Sequence, residues 1–303
     1  NILTSKYMNQ FIYTLKLIFI SARPLQWLKN IALFAPLIFS GFLFYDPIDG
    51  PLYFLVVFKA FLVFCLMTST VYLMNDLVDA QSDKKHPVKR NRPIASGELS
   101  TPTAIFAFLT GLLMVFFFSL SFSPFFQLLL LAYFLLQLLY SFKLKQIPIL
   151  DILTIASGFL IRIYAGAVVV NLGMSVWFLL TVVSASLFLA AGKRQSERTL
   201  LKDQPENITR KALHKYSERL LDVYTSMFAN ATWLTYALYT FQSELSTSEP
   251  AIKKFPWAYS LLPRTFQSQK LLMLTLPMVI FGVMRYLAPV SYTHLTLPTK
   301  RIV

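Results

Sequence analysis

The chain has 303 residues, 56% of them hydrophobic and 14% charged, with a net charge of +14 and a mean hydropathy of +0.57. That balance excludes an ordinary soluble domain, and because the cations lie between apolar runs instead of in a separate basic domain or tail, it argues for a membrane protein and against nucleic-acid binding. The single cysteine, Cys65, sits in an apolar run, so a disulfide framework is excluded and no thiol chemistry is indicated.

Residues 1–24 read as an amphipathic interfacial segment, with Phe11, Leu15, Ile18 and Phe19 forming its apolar side and Pro24 ending it. The segment has no small-residue cleavage site after a compact apolar core, so it is not read as a signal peptide, and the opening Asn1 suggests an initiator region upstream. Residues 25–290 read as one all-α, polytopic transmembrane helix bundle. Eight apolar runs meet the length of about 20 residues that a bilayer core requires, near 25–45, 52–75, 102–122, 124–142, 148–170, 174–192, 222–241 and 270–288. The first carries Arg23, Gln26, Lys29 and Asn30 near its start, a set that suits either anchoring at the interface beside Trp27 or a cluster facing phosphate.

The connections alternate in charge. Those at 46–51, 123 and 171–173 contain no Lys or Arg, whereas the intervening ones hold Lys84, Lys85, Lys89, Arg90 and Arg92, then Lys143 and Lys145, then a run from Lys193 to Arg219. The positive-inside rule puts the cation-rich connections in the cytoplasm, and a plasma-membrane location is expected.

The most informative stretch is Tyr72–Gly97. Asn75, Asp76, Asp79 and Asp83 fall at helical spacing, so the three carboxylates share one face if the preceding helix continues through them. Like charges so placed repel unless a cation sits among them, and Mg²⁺, which takes one or two carboxylates and completes its shell with water and phosphate oxygens, suits such a sparse set. The basic run Lys84–Arg92 would face the same phosphates. The plainer alternative is that these charges mark where the helix leaves the bilayer.

Further on, Tyr140 and Lys145 stand where a span meets water. Asp151 and Arg162 lie inside one span, eleven residues apart on nearly the same face, which is costly unless they are paired or line a polar cavity. Gly158 and Gly166 suit helix packing. After the sixth run, Lys193, Arg194 and Glu197 are expected on a turn, and cations there can bind a phosphate directly where carboxylates would need a metal. His86 and His214 read as loop residues, and residues 242–268 as a polar connection on the far side.

NDLVDAQSD, from Asn75 to Asp83, matches NDxxDxxxD and resembles the first aspartate motif of the UbiA superfamily of intramembrane prenyltransferases. With HPVKRNRPIASG after it, RPLQWLKN from Arg23 and the segment YSFKLKQIPILD through Arg162, the chain resembles that superfamily's decaprenyl-phosphate phosphoribosyltransferase branch. The resemblance implies Mg²⁺-dependent transfer of 5-phosphoribosyl from phosphoribosyl pyrophosphate to a polyprenyl monophosphate. It implies Asp76, Asp79 and Asp83 as metal and pyrophosphate ligands with Asn75 assisting, and Lys85, Lys89, Arg90 and Arg92 as contacts to the donor. Lys29, Lys193 and Arg194 are the candidates for the lipid phosphate, with Tyr140 and Lys145 at the rim and Asp151, Arg162 and Glu197 lining the cavity. The second aspartate motif expected in most of the superfamily is missing from the third basic connection. That departure weighs against the alternative of prenyl transfer to an aromatic acceptor. A transporter or other non-enzymatic membrane component is a further alternative, although no matching pair of interrupted segments is seen. The membrane lipid is an expected partner and a homo-oligomer is left open. The family pattern expects a ninth helix, and residues 291–303 read as a foreign tail.

Overall fold

The structure, a computed structural model, describes residues 2–43, 47, 50–85, 89–200, 215–242 and 271–292. Every regular element among them is helical: α1 (Ile2–Ala22), a 3-10 helix (Pro24–Phe34), α2 (Ala35–Phe39), α3 (Tyr53–Asp83), α4 (Pro93–Ser96), α5 (Thr101–Ser119), α6 (Pro124–Phe142), α7 (Leu150–Val168), α8 (Val176–Leu200), α9 (Glu218–Gln242) and α10 (Leu276–Tyr292), with short 3-10 turns between some of them. Five of these, α3 and α5 to α8, are long and apolar enough to cross a membrane. α9 covers the seventh expected span but interleaves Thr, Ser and Asn with its apolar residues. Residues 293–303 of the expected tail lie outside the described residues, as do His86, His214 and 243–268 of the polar connection.

The chain forms two compact units, Asn1–Lys145 with Ile161–Leu172, and Gln146–Leu160 with Gly173–Val303. In the first, α3 is the central element and packs against α1, the 3-10 helix, α4, α5 and α6. Phe64 lies at its core, with the rings of Phe126 and Tyr133 at 5.9 and 5.6 Å. Apolar side chains such as Phe106, Phe116 and Phe118 on α5 and Phe125 and Leu128 on α6 point outward, as expected of surfaces solvated by lipid. α3 has 31 residues and therefore extends about 46 Å, well past a hydrocarbon core of about 30 Å. Its length leaves the polar C-terminal turns, which carry the aspartates, in excess of what the apolar layer requires.

The first expected span differs from a continuous α-helix. Ala22 ends α1, Arg23 takes a left-handed backbone (φ 52°, ψ 64°), and Pro24 starts an 11-residue 3-10 helix that only then becomes α2. A 3-10 helix rises about 2 Å per residue against 1.5 Å for α, so this stretch with α2 reaches about 30 Å with few residues. Three residues per turn also align Trp27, Asn30 and Leu33 in one row, of which Asn30 and Leu33 are fully buried. Gly166 of α7 packs on that row: a Cβ there would lie 1.9 Å from the Leu33 carbonyl oxygen.

In the second unit α8 and α9 pack along their lengths, and the start of α7 joins them through Ile152 and Ala156 against Ala190, Ala191 and Leu221. Lys193, Arg194 and Glu197 are on α8 itself and not on a turn, because no proline interrupts Lys-Arg-Gln-Ser-Glu-Arg and the Arg194–Glu197 pair at i, i+3 supports the helix. Arg194 and Asp151, each 1% exposed, form an ion pair of 2.7 Å between α8 and α7.

Gly166→Ala should force the α7 and Leu33 backbones apart and lower the apparent melting temperature in detergent, at a cost of about 1–3 kcal/mol. Arg194→Ala, which strands the Asp151 carboxylate, should cost about 3–5 kcal/mol, while Arg194→Met together with Asp151→Leu should regain most of it in the same thermal assay.

Candidate active site

The C-terminal end of α3 presents Asp76, Asp79 and Asp83 at i, i+3 and i+7, and each carboxylate meets a cation from a different element. Asp76, 3% exposed, accepts on Oδ1 from Arg23 Nη2 at 2.5 Å and Arg92 Nη1 at 3.2 Å. The same Arg92 nitrogen donates to Asp83 Oδ2 at 2.5 Å, so one nitrogen spans two buried carboxylates. Lys145 Nζ donates to Asp79 Oδ1 at 2.5 Å, nearer the surface. Asn75 Oδ1 accepts from the Ser141 hydroxyl, which fixes the amide at the α3–α6 contact.

Local sequence explains how the cations arrive. Arg92 precedes Pro93, which keeps it extended (φ −69°, ψ 141°); Pro93 opens the one-turn helix α4, and Gly97, at φ 87°, ends it. Ile94 and Leu99 of this turn are buried against Leu17 of α1 and Ala104 of α5, so Arg92 hangs from a firmly seated corner. Lys145 lies in the short 3-10 turn after α6. Arg23 reaches Asp76 because its left-handed backbone sends the chain from α1 into the 3-10 helix, and its guanidinium rests over the Tyr72 ring at 4.9 Å. A non-glycine residue at positive φ is an uncommon, strained conformation.

The other residues of the RPLQWLKN motif hold the 3-10 helix to α3. Trp27 Nε1 donates to Ser69 Oγ at 2.9 Å, Gln26 accepts from Tyr72, and Asn30 Nδ2 donates to Thr68 Oγ1 at 3.2 Å. Asn30 Oδ1 accepts from Arg162 Nε at 2.8 Å, and Arg162 Nη2 donates to Tyr133 Oη at 2.7 Å while stacking on that ring. Lys29, next to the buried Asn30, is exposed.

Among the other expected site residues, Lys85 and Arg90 are exposed, and Lys89 and Tyr140 are half-buried. Asp151 and Arg162, on one helix face, do not pair with each other. Eleven residues separate their α-carbons by roughly 16 Å, so each takes a lateral partner. For Asp151 these are Arg194 and the Tyr216 hydroxyl, which donates to it at 2.6 Å and accepts from the Ile149 backbone N–H at 2.5 Å. Burial first, and then the bond to Asp151, pushes the Tyr216 hydroxyl above the ordinary phenol range. Arg194 also pairs with Glu197, while Lys193 is exposed. From sequence alone Arg23 belongs to a cluster suited to anchoring or phosphate, with no carboxylate partner, and neither Ser141 nor Tyr216 carries a signal of its role. The Arg-Pro break at the end of α1 was the available signal for the reach of Arg23.

Among the described residues no three Asp, Glu, His or Cys side chains converge into a closed metal cage. Mg²⁺ does not need one, because it binds through one or two carboxylates plus substrate oxygens. The Arg92 nitrogen bridging Asp76 and Asp83 is a stand-in cation, which supplies the positive charge that these two carboxylates take up. The oxygen donor set therefore fits Mg²⁺, with Asp79 and Asn75 alongside.

The UbiA prenyltransferase family matches residues 33–241. The decaprenyl-phosphate phosphoribosyltransferase of Mycolicibacterium smegmatis is 39% identical over 228 residues, covering 74% of this chain and 70% of that protein. Its Corynebacterium glutamicum counterpart is 36% identical over 248 residues, covering 80% and 72%. Among solved structures, a UbiA homolog from Archaeoglobus fulgidus bound to DMAPP and Mg²⁺ superposes with a TM-score of 0.62 over 89% of this chain and 96% of that one, at 16% identity, which shows a shared fold. The family match over residues 33–241 and the identity to these relatives over most of the chain make this chain a transferase of the UbiA prenyltransferase family, in the branch of the decaprenyl-phosphate phosphoribosyltransferases.

Proposed function

We propose that the chain transfers a 5-phosphoribosyl group from phosphoribosyl pyrophosphate to a polyprenyl monophosphate, with Mg²⁺, at the cytoplasmic face of the plasma membrane. The observation that carries this reading is the juxtaposition, at one helix end, of buried carboxylates and partly exposed guanidiniums within 2.5–3.2 Å. Carboxylates suit the metal of a metal–diphosphate donor and guanidiniums suit its phosphate oxygens. The names of the similar proteins support the substrate class, and the cation-rich connections support the orientation.

In this reaction the bond from ribose C1 to a pyrophosphate oxygen breaks, the electron pair leaves with pyrophosphate, and an oxygen of the lipid monophosphate forms the new bond to C1. Mg²⁺, held by Asp76 and Asp83 with Asp79 and Asn75 beside them, would neutralise charge on the departing pyrophosphate. Arg92 and Lys145 are placed to orient the donor's phosphates, and Lys85, Lys89 and Arg90 add the positive field that draws the donor in. Lys29 is the proposed contact for the lipid monophosphate, and Tyr140 belongs to the rim. Asp151, Arg162, Arg194 and Glu197 act by holding helices in place, since three of the four are buried in ion pairs or hydrogen bonds.

Membranes containing the chain, given Mg²⁺, labelled phosphoribosyl pyrophosphate and polyprenyl monophosphate, should move label into the lipid phase, and omission of either Mg²⁺ or the monophosphate should stop it. Prenylation of an aromatic acid from a polyprenyl diphosphate, with no label transfer, would replace this reading by the other UbiA chemistry. Asp76→Asn should lower the rate by about 100-fold or more with membrane insertion intact; a wild-type rate would remove the aspartate from the mechanism. Lys29→Ala should raise the KM for the lipid more than that for the sugar donor, and the reverse ranking would place Lys29 at the donor instead.

A further inference from the structure

We propose that Arg23 and Arg92 are exchangeable counter-ions, which neutralise Asp76 and Asp83 in the arrangement seen here and transfer to the donor's phosphate oxygens when a metal-chelated diphosphate takes over the carboxylates. The inference rests on the reading that the donor is such a diphosphate, and it adds Arg23 to the residues that bind it.

The geometry sets up a competition. Two guanidinium nitrogens address the same oxygen, Asp76 Oδ1, at 2.5 and 3.2 Å, and one of them also occupies Asp83 Oδ2 at 2.5 Å. A metal ion coordinating those oxygens at about 2.1 Å would stand against the guanidiniums, both by overlap and by like charge. The three carboxylates of the face and their partners Arg23, Arg92 and Lys145 cancel in formal charge, so the face as arranged attracts a bare divalent ion weakly. A metal arriving alone must leave the arginines without an acceptor, whereas a metal arriving with a diphosphate supplies one. Metal and diphosphate binding are therefore coupled, each strengthening the other by the same factor.

The arginines are built for the move and the carboxylates are not. Asp76 and Asp83 sit on a continuous helix with side chains 3% and 4% exposed, while the side chains of Arg23 and Arg92 are 28% and 26% exposed. The planar fork of arginine binds carboxylate and phosphate with the same bidentate geometry, so one donor set serves both acceptors. Tyr72 gives Arg23 a platform that does not depend on Asp76, because the guanidinium stays over the ring as its acceptor changes. The strained backbone of Arg23, ahead of Pro24, is explained by the need to bring this side chain over the end of α3.

The test measures binding without turnover. The purified full chain in detergent is titrated with Mn²⁺, followed by loss of the free-ion EPR signal, with and without inorganic pyrophosphate; pyrophosphate binding at fixed Mn²⁺ is measured by calorimetry. For the wild type, pyrophosphate should tighten Mn²⁺ binding by about tenfold or more. Arg23→Gln should bind Mn²⁺ alone more tightly than wild type and Mn²⁺–pyrophosphate more weakly, with the coupling reduced by about tenfold, and Arg23→Lys should restore part of it. These opposite shifts are the signature of exchange. A parallel loss of both affinities, or no change in either, would overturn it and leave Arg23 as a structural residue. If Arg23→Gln does not fold, Arg92→Gln, whose backbone is extended, replaces it: opposite shifts uphold the exchange, and parallel or absent shifts overturn it. Because the probe is pyrophosphate and no sugar is transferred, opposite shifts in a protein that fails the label-transfer assay would uphold the exchange and reject the phosphoribosyl donor. Parallel shifts in a protein that passes it would do the reverse.

Discussion

Burying negative charge at the end of a membrane helix is the constraint on which the first unit depends. Three carboxylates within eight residues of α3 have to be neutralised, and no element adjacent in sequence does it alone. Arg23 comes from the break after α1, Arg92 from the corner that opens α4, and Lys145 from the turn that follows α6. The packing of Leu17, Ile94, Leu99 and Ala104, the 3-10 row against α3 and the Ser141–Asn75 contact all serve to deliver those cations to one place. Remove the aspartates and much of this irregular backbone has no evident purpose.

The second unit meets a similar problem and reaches a different result. Asp151 and Arg194 are sealed together, with Tyr216 completing the carboxylate's hydrogen bonds, and neither side chain retains exposed surface. A pair of that kind fixes the relative position of helices, because separating it strands charge in a low dielectric. At Asp76 the carboxylate is equally buried but its partners remain partly solvated. Exposure of the cation, more than the presence of the pair, separates the charges that hold the fold from those able to meet a ligand.

Much of this was legible in the amino-acid sequence. Apolar composition and run length identified a polytopic helical membrane protein, and the i, i+3, i+7 spacing of Asp76, Asp79 and Asp83 put them on one face, because helical periodicity is a local property. Arg92 and Lys145 stood near enough in their motifs to be included. What the sequence did not display were lateral choices. An apolar run has the same composition whether it coils as α or 3-10, so the first expected span passed as a plain helix. Asp151 and Arg162 share a face that suits either a mutual pair or a polar cavity, yet their separation along the axis sends each to a neighbouring element. Arg194 read as a phosphate ligand because charge is visible in a sequence and burial is not. Arg23 owes its reach to its own left-handed backbone, of which the following Pro24 is the trace in the sequence.

The 3-10 helix makes the spacing of RPLQWLKN a ruler with a pitch of three. Trp27, Asn30 and Leu33 meet Ser69, Thr68 and Gly166 because consecutive members of the row differ by one full turn. An apolar exchange within that stretch leaves the row intact, but inserting or deleting a single residue rotates everything beyond it by about 120° and turns the buried amide of Asn30 toward lipid. Divergence in this segment should therefore proceed by substitution at constant length, with side-chain identity free to drift wherever the row is not touched.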